Sequence, residues 1–204
     1  MGPVTRATPL PPDERRAALI AATEPLLEQF GREVSTRQIA EAANVAEGTI
    51  FRAFPTKEAL IDAVLNDVFD VQHTCDELAE IDLRGDVEER LVTAVEVLQA
   101  RLQRVFALFH SMRLTPAIKP DQGGFRERQR TDNERLNSAI AALLEPDQDS
   151  LRFNPVESAI AVRTVTFALT HPIIGEDRFT EPEKIVNLVL HGILTGSTTG
   201  GRGC

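Results

Sequence analysis

The chain of 204 residues contains no tryptophan and no tyrosine. Every aromatic residue is therefore phenylalanine, and no ring can donate a hydroxyl proton to a phosphate or a ligand. Only two cysteines occur, Cys75 and Cys204, one of them terminal. That excludes a disulfide framework and is the usage expected of reducing cytosol, so a cytoplasmic protein is expected. His73-x-Cys75 supplies two potential metal ligands without partners, and no metal site is expected. No apolar run approaches the length that spans a membrane. The first residues, MGPVTRATPLPP, lack the apolar stretch of a signal peptide. An excess of basic charge is missing too. The net charge is −9, which is not the footprint of a generic nucleic-acid binder. Met1 to Leu60 carries seven Lys and Arg against eight Asp and Glu, so the first part is nearly neutral and the remainder holds −8. No Gly-rich phosphate loop and no nucleophile motif is found, and no cofactor is expected.

With 42% hydrophobic residues the chain can bury a substantial core. Its most informative stretch is Ser35 to Leu60, STRQIAEAANVAEGTIFRAFPTKEAL. Ser35 is a good N-cap, and Gln38 three residues later completes a capping box. Ile39, Ala40 and Ala43 share one face of a short helix. Asn44 stands where the chain turns sharply, and Asn tolerates the left-handed conformation that such a turn uses. Val45 re-enters the core. Glu47 to Phe54 gives a second short helix with Ile50 and Phe54 on one side, and Pro55 stops it. Thr56 caps a third helix that opens with Lys57-Glu58 and buries Leu60 and Val64. Two short helices joined by one small turn form a helix-turn-helix, which offers its second helix to a DNA major groove.

The run T-x-x-I-A-E-A-A-x-V-x-x-G-T-I-F-x-x-F-x-x-K-E-A-L, from Thr36 to Leu60, resembles the DNA-binding domain of the TetR family of bacterial transcription regulators. The close match covers the first third of the chain; the remainder fits by length and helical pattern. Three positions depart from the family wording. Asn44 stands where Gly is usual. Ala46 stands where a Ser-like cap is usual; Ala is a poor cap, so a frayed or shifted start of the second helix is expected, at about 1 kcal/mol. Phe51 stands where Tyr is usual, and it removes one phosphate contact. The resemblance implies that Thr36, Arg37, Glu47, Gly48, Thr49, Phe51, Arg52 and Lys57 form the DNA-binding set. Arg37 can contact guanine bidentately and Glu47 can accept from cytosine. Lys57, at a helix start whose amides also suit a phosphate, anchors the backbone.

Around this motif the pattern is helical throughout, and an all-α fold is expected: an N-terminal three-helix DNA-binding domain over residues 1–60 and a helical ligand-binding and dimerisation domain over 61–204, with a flexible tail from Gly196. Residues up to Pro12 form a mobile arm in which Arg6 could touch phosphate. Asp13 to Phe30 is the first helix, with Ile20, Leu27 and Phe30 inward and a kink at Pro25. Arg15 and Arg16 on it are further candidates for phosphate contact. The helix begun at Lys57 is expected to reach Val71 or beyond. From Asp86 to Arg113, apolar residues in steps of four and three mark an amphipathic helix, apolar all round at VFALF. Thr115 to Gly124 is a loop, and Phe125 to Leu144 another helix. Asn154-Pro155-Val156-Glu157 is a cap, a proline at the first helical position and a Glu at the third; Thr180-Glu181-Pro182-Glu183 repeats the device. The two helices so begun run to about Thr170 and Thr195. Both are apolar on more than one side, so a second copy is expected to cover them. Ile160, Ile185, Leu188, Val189 and Gly192 are the candidate dimer contacts.

Phe106, Phe109 and Met112, with Phe125 and Phe167 opposite and His110 and Arg113 as polar groups, are the candidate site for a small, mostly apolar effector. The function expected is a homodimeric regulator, a repressor released from a palindromic double-stranded operator by that effector. Two alternatives stand beside it. One is a regulator-like protein acting through protein partners with little DNA affinity. The other is an all-α enzyme, for which His110, Arg113 and Glu127 would have to be assembled without any motif.

Overall fold

The computed structural model describes residues 11–113, 125–175 and 180–192. The N-terminal arm as far as residue 10, the expected loop Thr115 to Gly124 and the tail with Gly196 lie outside the described residues. Those residues form helices and turns, with no strand among them, as an all-α fold requires. They divide into two compact units. The boundary does not fall after Leu60. Residues up to 69, joined by the segment beginning at Ala107, make the first unit; 70–106 and the rest make the second.

In the first unit, α1 (Pro12–Phe30), α2 (Thr36–Ala42), α3 (Glu47–Ala53) and α4 (Lys57–Phe69) follow one another, with a 3₁₀ turn at Gly31–Glu33. α1 packs on α2, α3 and α4. Its buried row is Leu19, Thr23 and Leu27, a four-residue step. The expected inward set is corrected accordingly: Ile20 is half-buried and Phe30 is 38% exposed. A buried threonine is tolerated in that row because its hydroxyl donates to the Leu19 carbonyl at 2.6 Å. The helix continues through Pro25. Ala21, whose carbonyl loses its partner there, is exposed and can turn to water. Gly31 ends α1 at φ 55 and ψ −139, a conformation that side chains disfavour, and a Cβ there would stand 2.5 Å from the Ser111 carbonyl oxygen. α4 buries Leu60, Ile61, Val64 and Val68 and stops at Phe69, short of the expected Val71. The Asp70 carboxylate accepts from the Gln72 amide at 2.9 Å and starts a separate helix, α5 (Gln72–Ala79), which the apolar pattern alone did not reveal.

The second unit contains α5, the greater part of α6 (Val87–Ser111), α7 (Phe125–Leu144), α8 (Pro155–Thr170) and α9 (Pro182–His191). α7 packs on α5 and α8, and α8 on α9. Leu91, Val95 and Leu98 of α6 meet Leu136, Ile140 and Leu144 of α7, Val162 of α8 and Ile185 of α9 in one core. Asn154 caps α8 as expected, its side chain accepting from the Glu157 amide at 2.9 Å. The second capping device differs: Glu181, not Thr180, occupies the cap position ahead of Pro182. α9 ends at His191 rather than near Thr195, because Gly192 takes φ 71 and turns the chain out of the helix. Arg90 of α6 is 3% exposed. It donates to the carbonyls of Leu143 (3.0 Å), Leu83 (3.2 Å) and Gly85, and to the Asp147 carboxylate. It thus ties the turn before α6 to a 3₁₀ segment, Glu145–Ser150, after α7.

Candidate nucleic-acid interface

The helix-turn-helix is built by local chemistry. Ser35 Oγ accepts from the Gln38 amide while Gln38 Oε1 accepts from the Ser35 amide, so both strands of the capping box are made and α2 has a fixed start. Asn44 takes φ 52, the left-handed turn expected of it, and the Val45 amide then donates to the Ala40 carbonyl at 2.9 Å. α3 begins at Glu47 after Ala46, with no side-chain cap. The start is not displaced: the Thr49 amide donates to the Ala46 carbonyl at 2.8 Å. Ile50 and Phe54 are buried beneath α3 at 0% and 1% exposure, which leaves its opposite side to solvent.

That outer side carries most of the expected DNA-binding set. Arg37, Glu47, Gly48, Phe51 and Arg52 are exposed, and Thr36, Thr49 and Lys57 half-buried. A Cβ at Gly48 would meet no atom within 4 Å, so α3 presents bare backbone there. Phe51 is 49% exposed and brings ring surface without a hydroxyl. Arg37 Nε pairs with Glu41 at 3.0 Å across one turn of α2. The Thr36 hydroxyl donates to the Glu47 carboxylate and links the first turn of α2 to the first residue of α3.

Two cations have structural partners that sequence reasoning missed. Lys57 Nζ donates to the Arg32 and Val34 carbonyls, both at 3.1 Å, and so clamps the segment that leads into α2. Arg16, read only as a phosphate candidate, lies 4.1 Å over the Phe54 ring and donates to the Ala53 carbonyl at the end of α3. Neither partner is near in sequence, so no local pattern could have shown it. Lys57 retains one ammonium proton for a phosphate. Lys57→Ala is therefore expected to weaken binding to all DNA sequences, to lower the salt slope by about one unit, and also to cost about 1–3 kcal/mol of stability through the two lost charged hydrogen bonds. Salt titrations of binding beside denaturant melts check both; an unchanged melting midpoint would free Lys57 from the structural role.

The expected effector residues are divided between the two units. Phe109, His110, Met112 and Arg113 belong to the first: Phe109 meets Phe69 at 5.5 Å between ring centroids, Met112 is buried, and His110 and Arg113 are exposed. Phe106, Phe125 and Phe167 belong to the second, where Phe125 opens α7. There Phe106 meets Phe167 at 5.7 Å and His171, a residue the sequence reading left out, at 4.8 Å. α6 passes from one unit to the other just after Phe106, so the expected effector residues fall in both units. On α8, the hydroxyls of Thr166 and Thr170 are buried without a hydrogen-bond partner. Two surface grooves of about 540 Å³ each, one beside Arg90 with Glu77, Glu80, Asp82 and Glu89, the other beside Asn154, contain no aromatic residue and lie apart from this cluster.

Of the expected dimer contacts, Ile160 is 42% exposed, Leu188 and Val189 are half-buried and Gly192 is exposed. Ile185 is removed from that set: at 0% exposure it belongs to the core of its own unit. Cys75 packs against the same core, and burial pushes its thiol pKa up, the behaviour of a small apolar residue rather than a metal ligand. Among the described residues no three His, Cys, Asp or Glu side chains gather to hold a metal, and no helix is long and apolar enough to cross a membrane.

Comparison with known proteins agrees with this geometry. Residues 19–64 match the family described as bacterial regulatory proteins, tetR family. Over 48 residues the chain is 46% identical to YvkB of Bacillus subtilis, an uncharacterized HTH-type transcriptional regulator; the match covers 24% of this chain and 25% of YvkB. The chain thus spans about a quarter of the length of the curated relative it matches. The fold is similar to that of a TetR transcriptional regulator from Streptomyces coelicolor, at 23% identity and a TM-score of 0.56, covering 87% of this chain and 97% of that one. It is also similar to LfrR from Mycobacterium smegmatis, solved in complex with proflavine, at 20% identity and a TM-score of 0.55, covering 90% of this chain and 98% of LfrR. The helix-turn-helix of this chain thus lies in a segment, residues 19–64, that matches the tetR family of bacterial regulatory proteins.

Proposed function

We propose that this protein is a homodimeric transcriptional repressor that leaves a palindromic operator when a small, mostly apolar effector binds its second unit. The observation that carries the reading is the helix-turn-helix itself: a fully capped α2, a left-handed Asn44 and an outward α3 face bearing Glu47, Gly48, Thr49, Phe51 and Arg52. Arg37 supplies the bidentate donor for guanine and Lys57 the phosphate anchor. Two-fold symmetry would space the two α3 helices about one DNA turn, roughly 34–36 Å, apart. For the effector, the support is Phe106, Phe167 and His171 in mutual contact, with the buried, unpartnered hydroxyls of Thr166 and Thr170 on the same helix as Phe167. Rings offer stacking surface, and the hydroxyls would bind one or two polar atoms of the same molecule. LfrR binds proflavine, a planar aromatic cation, and this chemistry suits a planar aromatic ligand as well.

An effector releases DNA only by binding the DNA-free arrangement more tightly. By reciprocity the operator must weaken effector binding by the same factor. The test is footprinting on the DNA upstream of the protein's own gene, followed by titration of proflavine, read by its own fluorescence, into the protein with and without the protected fragment. A palindromic footprint and weaker proflavine binding in the presence of the fragment are expected. Equal affinity in both titrations would refute the coupling for this ligand class, and the absence of any footprint would refute the operator.

A further inference from the structure

Thr36 and Glu47 are eleven residues apart, on α2 and α3, and their side chains meet. The Thr36 hydroxyl gives its single proton to Glu47 Oε1. Glu47 is exposed and is the first residue of α3; Thr36 is half-buried. A carboxylate on a face that meets DNA repels the phosphate backbone, so it lowers affinity for every sequence unless a base repays it. The second acid nearby, Glu41, is offset by its ion pair with Arg37 at 3.0 Å. Glu47 has a neutral partner instead. It keeps its full charge, and its direction is set from the neighbouring helix. The hydroxyl occupies one oxygen and leaves Oε2 as a pure acceptor. In the major groove such a group is satisfied by the amino group of cytosine or adenine and repelled by the acceptor edges of guanine and thymine.

We propose that Glu47 is a specificity filter: its carboxylate accepts from one base amino group per half-site and rejects DNA that offers only acceptors there, while Thr36 is a positioning residue that holds the carboxylate rather than a phosphate contact. The inference rests on the reading of α3 as the DNA-facing helix. It gives Glu47 a distinctive signature, because the residue lowers binding to wrong sequences and is repaid only by the right one.

The experiment is selection from a randomised duplex library with the full chain, for the wild type and for Glu47→Ala, Thr36→Val, Thr36→Ser and Arg37→Ala, each shown by thermal melting to be folded. Affinity for a random duplex is measured in parallel. The wild type should select a cytosine or adenine at one position of each half-site. Glu47→Ala and Thr36→Val should both weaken that preference by about tenfold, and Thr36→Ser should keep it. Glu47→Ala should in addition bind the random duplex more tightly, whereas Thr36→Val, which retains the charge, should not. If Thr36→Val cannot be folded, Thr36→Ala with Thr36→Ser as rescue makes the same comparison. Retention of the preference in Thr36→Val while Glu47→Ala loses it would overturn the positioning role, and retention in Glu47→Ala would overturn the filter. In either case a changed preference elsewhere in the site with Arg37→Ala leaves the DNA-binding reading intact. A wild type that enriches no sequence would refute that reading together with the inference.

Discussion

Ile160→Glu is expected to yield a folded monomer that no longer binds operator. Phe153, Val156 and Ile160 are 58%, 52% and 42% exposed, and they recur at three- and four-residue steps along one outward stripe at the start of α8 and its approach. An isolated exposed apolar residue is ordinary, but a continuous stripe on one helix is a contact surface. In a two-fold dimer each copy buries its stripe against the other, so one substitution acts twice. Each large apolar side chain contributes about 1.5–3 kcal/mol when fully covered, and a carboxylate in its place must also be desolvated. Because Ile160 already faces outward, the single chain should lose little stability. The same change at Leu188 or Ile185, which are half-buried and buried, would mix dissociation with unfolding. Sedimentation should report half the wild-type mass. Operator affinity should fall about 100-fold or more once the two half-sites are no longer bound by one particle. A variant that stays dimeric at wild-type affinity would remove this stripe from the interface.

Arg90→Ala is expected to lower the stability of the second unit by about 2–4 kcal/mol, the cost of leaving several buried acceptors without a donor. The guanidinium serves the Leu143, Leu83 and Gly85 carbonyls together with Asp147. Arg90 is 3% exposed, so Ala would also leave a cavity. Asp147 itself is 35% exposed, so solvent should recover part of its loss. Arg90→Lys should rescue only partly, since an ammonium lacks the planar fork that reaches separated acceptors. Denaturant unfolding followed by circular dichroism measures both. A loss below about 0.5 kcal/mol for Arg90→Ala, the range of ordinary surface substitutions, would show that water replaces the guanidinium.

The helix-turn-helix was legible because its determinants are local. A capping box spans four residues, Asn44 selects its own backbone conformation, and the Ile50–Phe54 spacing fixes which side of α3 is buried. The Asn154 cap of α8 was readable for the same reason. Where two apolar rows competed, as on α1, composition could not choose between Ile20 and Leu19, because the neighbouring helices decide which row is covered. α5 was hidden because one Asp side chain at residue 70 interrupts an otherwise continuous apolar pattern.

By its sequence alone this chain determined an all-α fold, a helix-turn-helix and most of the helix starts, since each depends on contacts within a few residues. Tertiary structure alone decided that Lys57 and Arg16 serve carbonyls and a ring within the fold, and that Arg90 braces four acceptors. It also decided that Ile185 is core, that Phe106 and Phe109 belong to different units, and that Thr36 holds Glu47. Those partners lie between 5 and 57 residues apart, most of them well beyond the reach of one helical turn, and only the packing of helices brings them together.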